Sequence, residues 1–219
     1  MNLRGNKGAF WQALVFTIVV FALGMALGLF IESNRADRVH DVLLQAEISL
    51  LDEQLRNRVV EDLGVGCSEA RESTFAFADR IFEEAQRLED FDSSSTFGDA
   101  LTVLHKRYDL LRLMLWSEAV RLRDYCGDDY HTLVYLFAYE TQDITQAGEQ
   151  KALSRVLLDL KEAHGDEVLL IPIAGNLNIA SVDLVKEAHG ITSLPAIVVD
   201  ERQVIEGLIS VGDLEGYFR

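Results

Sequence analysis

The sequence predicts an N-terminal transmembrane helix, then an α-helical stalk that folds back as an antiparallel hairpin, then an α/β domain of order βαβαββα. Three observations predict this. Gly8 to Ile31 carries no charged side chain. From about residue 36 to residue 126, apolar residues recur at helical steps of three and four. Beyond residue 129, short apolar runs alternate with amphipathic stretches. The expected organisation is a leader at 1–7, a membrane helix at 8–31, helical segments at 32–128 and an α/β domain at 129–219.

The uncharged run is long enough to cross a hydrocarbon core of roughly 30 Å as a helix. A buried helix of a soluble domain is a poor fit to that length. A cleaved signal peptide would have a shorter apolar region, of about 7–15 residues, and a small-x-small cleavage site. The sequence LGLFIESNRA offers no Ala-x-Ala, which favours an uncleaved signal anchor. Arg4 and Lys7 precede the run, so the leader is expected in the cytoplasm and the bulk of the chain on the outer face of the cell membrane. Arg35 and Arg38 just beyond it blunt that bias. Trp11 and Phe10 suit an interfacial aromatic belt. Gly24 and Gly28 form a G-x-x-x-G pattern, which permits close packing on a second helix and hence a homodimer; such patterns also arise by chance in Gly- and Ala-rich spans.

All 36 Asp and Glu lie after residue 31, with 18 of the 20 Lys and Arg, leaving −18 there. That balance excludes a nucleic-acid binder, because no surplus of cations exists to replace phosphate counterions. It also opposes lying flat on anionic lipid. The expected partners are the bilayer, through residues 8–31, and a protein or peptide whose identity the sequence does not give.

A first amphipathic helix is expected over Ala36 to Leu63, stopped at Gly64-Val-Gly66. A second opens near Ser68 and runs to about Phe91. Asp92 to Thr96 reads as a turn rich in helix-capping residues. A third runs from about Phe97 to Tyr125. Its apolar face is Leu101, Leu104, Tyr108, Leu111, Leu115 and Ala119. Then follow a strand at His131–Ala138, a helix at Gln146–His164, a strand at Glu167–Ile173 and a helix at Ile179–His189. Strands at Ala196–Val199 and Val204–Ile209, turned at Asp200–Arg202, and a helix at Val211–Phe218 complete the chain. Lys161-Glu-Ala-His-Gly165 recurs as Lys186-Glu-Ala-His-Gly190. Both copies suit a helix end, with glycine past the last turn and histidine near the negative end of the dipole. A two-histidine metal site is the rival reading, but no accompanying ligand spacing supports it.

The segment ITSLPAIVVDERQVIEGLIS, Ile191 to Ser210, together with this element order, resembles the thioredoxin fold over the last ninety residues or so. The resemblance implies a four-stranded mixed sheet, its first two strands parallel and its last two an antiparallel hairpin. It implies a cis Leu194–Pro195 bond bordering a groove for an extended peptide. A proline needed only for the turn into the strand is the plainer alternative. Where that family carries Cys-x-x-Cys, this chain has Glu140-Thr141-Gln142-Asp143-Ile144, so the usual thiol chemistry is missing. Glu140 and Asp143 as an acid/base pair would need a partnered nucleophile or metal and a shaped pocket. Solvated loop carboxylates explain them better.

The two cysteines, Cys67 and Cys126, stand just before the second helix and just after the third. In an antiparallel hairpin those ends meet, within reach of the 4.4–6.8 Å Cα separation of a disulfide. Such a bond would persist outside the cytoplasm. Two separate buried thiols and a redox-active pair remain open at this stage. No catalytic, cofactor-binding or metal residue stands out. Three functions are compatible: a redox-inactive, membrane-anchored binding or scaffolding module; an oxidoreductase that exchanges Cys67 with Cys126; and a structural subunit assembled through the membrane helix.

Overall fold

The computed structural model describes residues 8, 10–28, 48, 51–52, 55–56, 58–59, 64–92, 98–127 and 130–218. The chain divides into two compact units, Met1–Asp52 and Glu53–Arg219. In the first, helix α1 (Phe10–Gly28) is long and apolar enough to cross a membrane. Its 19 residues span about 28 Å. Most of the helix expected at Ala36–Leu63 lies outside the described residues, as does most of the turn at Asp92–Thr96; residues 48, 51–52, 55–56 and 58–59 are helical.

The second unit runs α2 (Cys67–Asp92), α3 (Gly98–Cys126), β1 (His131–Phe137), α4 (Ile144–His164), β2 (Val168–Ala174), α5 (Ala180–Ala188), β3 (Ala196–Val199), β4 (Gln203–Glu206) and α6 (Val211–Glu215). One four-stranded mixed sheet has the order β2-β1-β3-β4. β1 and β2 are parallel, with Tyr135 opposite Pro172. β3 runs antiparallel to both β1 and β4.

Side chains alternate across a strand, so β1 supplies both layers of core. Leu133 and Tyr135 pack with Leu153, Leu157 and Leu160 of α4 and Leu214 of α6. On the other face Thr132 meets Arg123 of α3, with Arg123 Nη1 donating at 3.3 Å. α3 packs on β1 and β2, burying Leu111, Leu115, Ala119 and Leu122. α2 lies along α3 and buries Ala70, Thr74, Phe77, Ile81 and Ala85 at helical steps. The expected seam at residue 129 thus falls inside one unit, because α3 shares its core with the sheet.

Local chemistry sets the ends. Asp143 caps α4, its side chain accepting from the backbone N–H of Thr145 at 2.8 Å and of Gln146 at 3.3 Å. α4 therefore starts two residues before the expected Gln146. Gly165 and Gly190 take positive φ, +53° and +66°, after the two Lys-Glu-Ala-His copies. β4 stops at Glu206 instead of Ile209, because Gly207 at φ +84° turns the chain. Asp200 and Glu201, at φ +47° and +58°, form the tight β3–β4 turn, closed by the Arg202 N–H on the Val199 carbonyl at 3.0 Å.

Candidate binding site at the carboxyl end of β1

Open α/β sheets place ligands beyond the carboxyl ends of their parallel strands. Here that end gathers the loop from Tyr139 to Asp143, the start of α4 and the turn into β3. Leu194–Pro195 is cis. The Gln146 side chain donates from Nε2 to the Leu194 carbonyl at 3.0 Å, and Thr141 Oγ1 donates to Gln146 Oε1. Glu206 accepts from the backbone N–H of Thr192 at 2.7 Å and of Ser193 at 2.9 Å. Those bonds hold the Glu206 carboxyl below its ordinary value. The Pro195 carbonyl accepts from the Gly207 N–H at 2.9 Å. The proline loop is thus tied to its own fold at four backbone groups.

Two further carboxamides finish β1. Gln150 receives the Ala138 N–H at 2.6 Å and donates to the Ala138 carbonyl at 3.1 Å. Asn176 does the same for Tyr139, at 2.7 and 2.9 Å. Gly175 lies so close to Leu194 that an added Cβ would stand 3.0 Å from its Cδ1.

Of the loop carboxylates, Glu140 is exposed at φ +49°, and Asp143 is occupied as the α4 cap. Ile144, the first residue of α4, is 88 % exposed. Leu208, also exposed, follows the glycine that bonds Pro195. No thiol lies in this loop.

Cys67 and Cys126 are bonded to each other, with Cα atoms 5.7 Å apart. Cys126 ends α3, five residues before β1 begins. The disulfide therefore belongs to the amino end of β1 and Pro195 to its carboxyl end, separated by the roughly 20 Å that seven strand residues span. In α1 the expected packing glycines, Gly24 and Gly28, have open space where a Cβ would project.

Beside the disulfide end, α3 grips the β3–β4 turn. Arg123 Nη1 donates to Asp200 at 2.9 Å and Nη2 to Glu201. Trp116 Nε1 donates to Glu201 at 2.6 Å, as does Thr132 Oγ1 at 2.6 Å. His131 Nδ1 lies 2.6 Å from Asp200. Burial pulls the Arg123 guanidinium down, but the Glu201 and Asp200 carboxylates overcome it and leave the net shift upward.

Deeper in α3, Asp109 accepts from Arg112 and from the Ala174 N–H through one oxygen, Oδ1, at 3.2 Å each. The other oxygen is buried with no hydrogen-bond partner. Burial pushes this carboxyl up to about 6, against the opposing pull of Arg112.

The recurring histidines do separate work. His164 approaches Glu215 at 3.2 Å and meets the Phe218 ring edge-on. His189 donates to the Val185 carbonyl and lies tilted against Trp116, ring centroids 5.6 Å apart. Among the described residues no cluster of three or more His, Cys, Asp or Glu stands ready for a metal.

Sequence reasoning named Leu194, Pro195 and both cysteines. It missed Gln146, Gln150, Asn176, Arg123 and Asp109. It also read Asp143 as a solvated loop carboxylate and not as the α4 cap, although a capping residue ahead of a helical run is a readable signal. No protein-family model matches the chain, and no curated protein does.

Proposed function

We propose that this chain is a membrane-anchored, redox-inactive module of thioredoxin-like fold that binds or scaffolds a protein or peptide on the outer face of the membrane. One observation carries the reading. The helix after β1 opens with Asp143 and Ile144 instead of sulfur, while the two cysteines are joined to each other at the opposite end of the strand. The strand order and the cis proline leading into β3 support the thioredoxin-like assignment. The apolar α1 supports the anchor.

Recognition runs through side chains. Thr192, Ser193, Leu194 and Pro195 already spend backbone groups within the fold. An incoming segment therefore meets the exposed Ile144 and Leu208 and gains little from strand pairing. Two assays on the full chain in lipid nanodiscs test this. Dithiol–disulfide exchange is expected to match that of the Cys67→Ser, Cys126→Ser double variant. Peptides enriched from a random display library on the wild-type chain are expected to lose binding to Ile144→Asp. Turnover that needs the cysteines, or enrichment indifferent to Ile144→Asp, overturns the proposal.

A further inference from the structure

The peptide surface at Ile144 does not end there. Ile144, Ala147, Lys151, Ser154 and Leu158 follow one another at steps of three and four, so they share one face of α4. Both ends of that face are open, Ile144 being 88 % and Leu158 47 % exposed. From Ala147 onward the face lines a cleft of about 580 Å³ between α4 and α3, inside the roughly 300–1,000 Å³ range of small-molecule sites. Tyr139 and Glu140, from the loop ahead of α4, line it as well. The cleft is thus continuous with the site at the carboxyl end of β1.

The lining has no preferred sign of charge. Arg112 is paired with Asp109 at 3.2 Å, and Lys151 is offset by Glu140 in the same lining. Glu84 stands beside it, accepting from the Tyr108 hydroxyl at 3.2 Å. What the lining has is rings. Phe82, Tyr108, Tyr135, Phe137 and Tyr139 all border the cleft. Tyr135 and Phe137 stack with centroids 5.6 Å apart, and Tyr139 lies 4.3 Å from the His105 ring. The Tyr135 hydroxyl donates to the Gln150 carbonyl at 3.2 Å, so the floor makes few polar demands. Such a lining suits a flat aromatic group, which packs offset or edge-on against other rings and gains more than its buried area alone provides. A charged group would give up hydration and meet no surplus of opposite charge.

We propose that the cleft is the anchor pocket of the peptide site and takes an uncharged aromatic side chain, from a partner segment that crosses Ile144 and runs along α4 toward Leu158. The inference rests on the peptide reading and adds the residue type that the partner must carry. Two probes test it on the full chain in nanodiscs, with empty nanodiscs subtracted. The first is the set of peptides enriched from the display library on the wild-type chain. They are expected to share a Trp, Phe or Tyr, and changing that residue to alanine should weaken binding about tenfold or more, as the loss of a ring seated in a pocket does. The second is N-acetyl-tryptophanamide, with N-acetyl-leucinamide as the ringless control. The tryptophan amide should displace a bound peptide, and the leucine amide should do so about tenfold less well. Ser154→Trp, which sets an indole of the protein's own in the cleft, should abolish binding of both probes. The alanine-changed peptides and the two amides need no variant, so they decide the matter even if Ser154→Trp unsettles the fold. Peptides that depend on Ile144 yet share no ring, tolerate the loss of one, or ignore both Ser154→Trp and the tryptophan amide overturn the anchor pocket and leave the peptide reading standing. No enrichment on the wild-type chain, or enrichment indifferent to Ile144→Asp, overturns both.

Discussion

The side-chain amide of Gln146, in the first turn of α4, holds the carbonyl of Leu194 at 3.0 Å, 48 residues further along the chain. The bond fastens the proline loop to the helix and removes the acceptor that an added peptide strand would use. Gln146→Ala should cost about 1 kcal/mol, a typical net hydrogen bond. Chemical denaturation of the full chain measures that loss. If main-chain pairing at Leu194 is what the amide blocks, the same variant should bind extended peptides more tightly than the wild type.

The Arg123 cluster ties α3 to the β3–β4 turn. Replacing Arg123 by Met leaves Asp200 and Glu201 facing each other without their shared cation. These groups are partly solvated, which reduces the cost below that of a fully buried pair. We expect a loss of about 2 kcal/mol, read from the denaturation midpoint. A Trp116→Phe change, which removes only the indole donor to Glu201, should cost about half as much. A double-mutant cycle should show the two changes to be non-additive.

Breaking the Cys67–Cys126 bond should destabilise the second unit strongly. The bridged residues are 59 apart in sequence, and loop-closure entropy for that length corresponds to about 4 kcal/mol. The Cys67→Ser, Cys126→Ser variant should therefore unfold at markedly lower denaturant. Reducing agent should shift the wild-type chain to the same midpoint and leave the variant unmoved.

Asp109 makes stability depend on pH in a definite direction. Its folded value is raised to about 6 from an ordinary 3.8. Between those values the folded chain holds a proton that the unfolded chain has released, so this residue's contribution to stability falls as pH rises from about 4 to about 6. Above that window the cost is fully present, about 3 kcal/mol before relaxation. Asp109→Asn should flatten this part of the stability–pH curve. Subtracting the wild-type and variant curves isolates the effect from the many other carboxylates.

Much of the fold was legible because it follows from periodicity. β3 occupies Ala196–Val199 as expected, since four consecutive apolar residues between a proline and an acidic turn leave little choice. Helix and strand limits moved where a single residue's backbone preference outweighed the apolar pattern, at Asp143 and at Gly207. The cysteine pair was legible because hairpin topology brings its ends together. The amide ties were not. Gln146, Gln150 and Asn176 act on backbone atoms of distant residues, and a polar side chain's partner leaves no periodic trace. Nor did periodicity tell what the apolar face of α3 packs against. It marks a face as buried and says nothing of the neighbour, which is why α3 read as part of a stalk although it packs on the sheet.

The disulfide also decides what becomes of the helical pair after a cut. Cys67 and Cys126 are covalently joined across 59 residues of sequence, so α2 and α3 lie inside a closed loop. A single break in the backbone between them leaves both pieces fastened together through the sulfur bridge, and only its reduction then releases them.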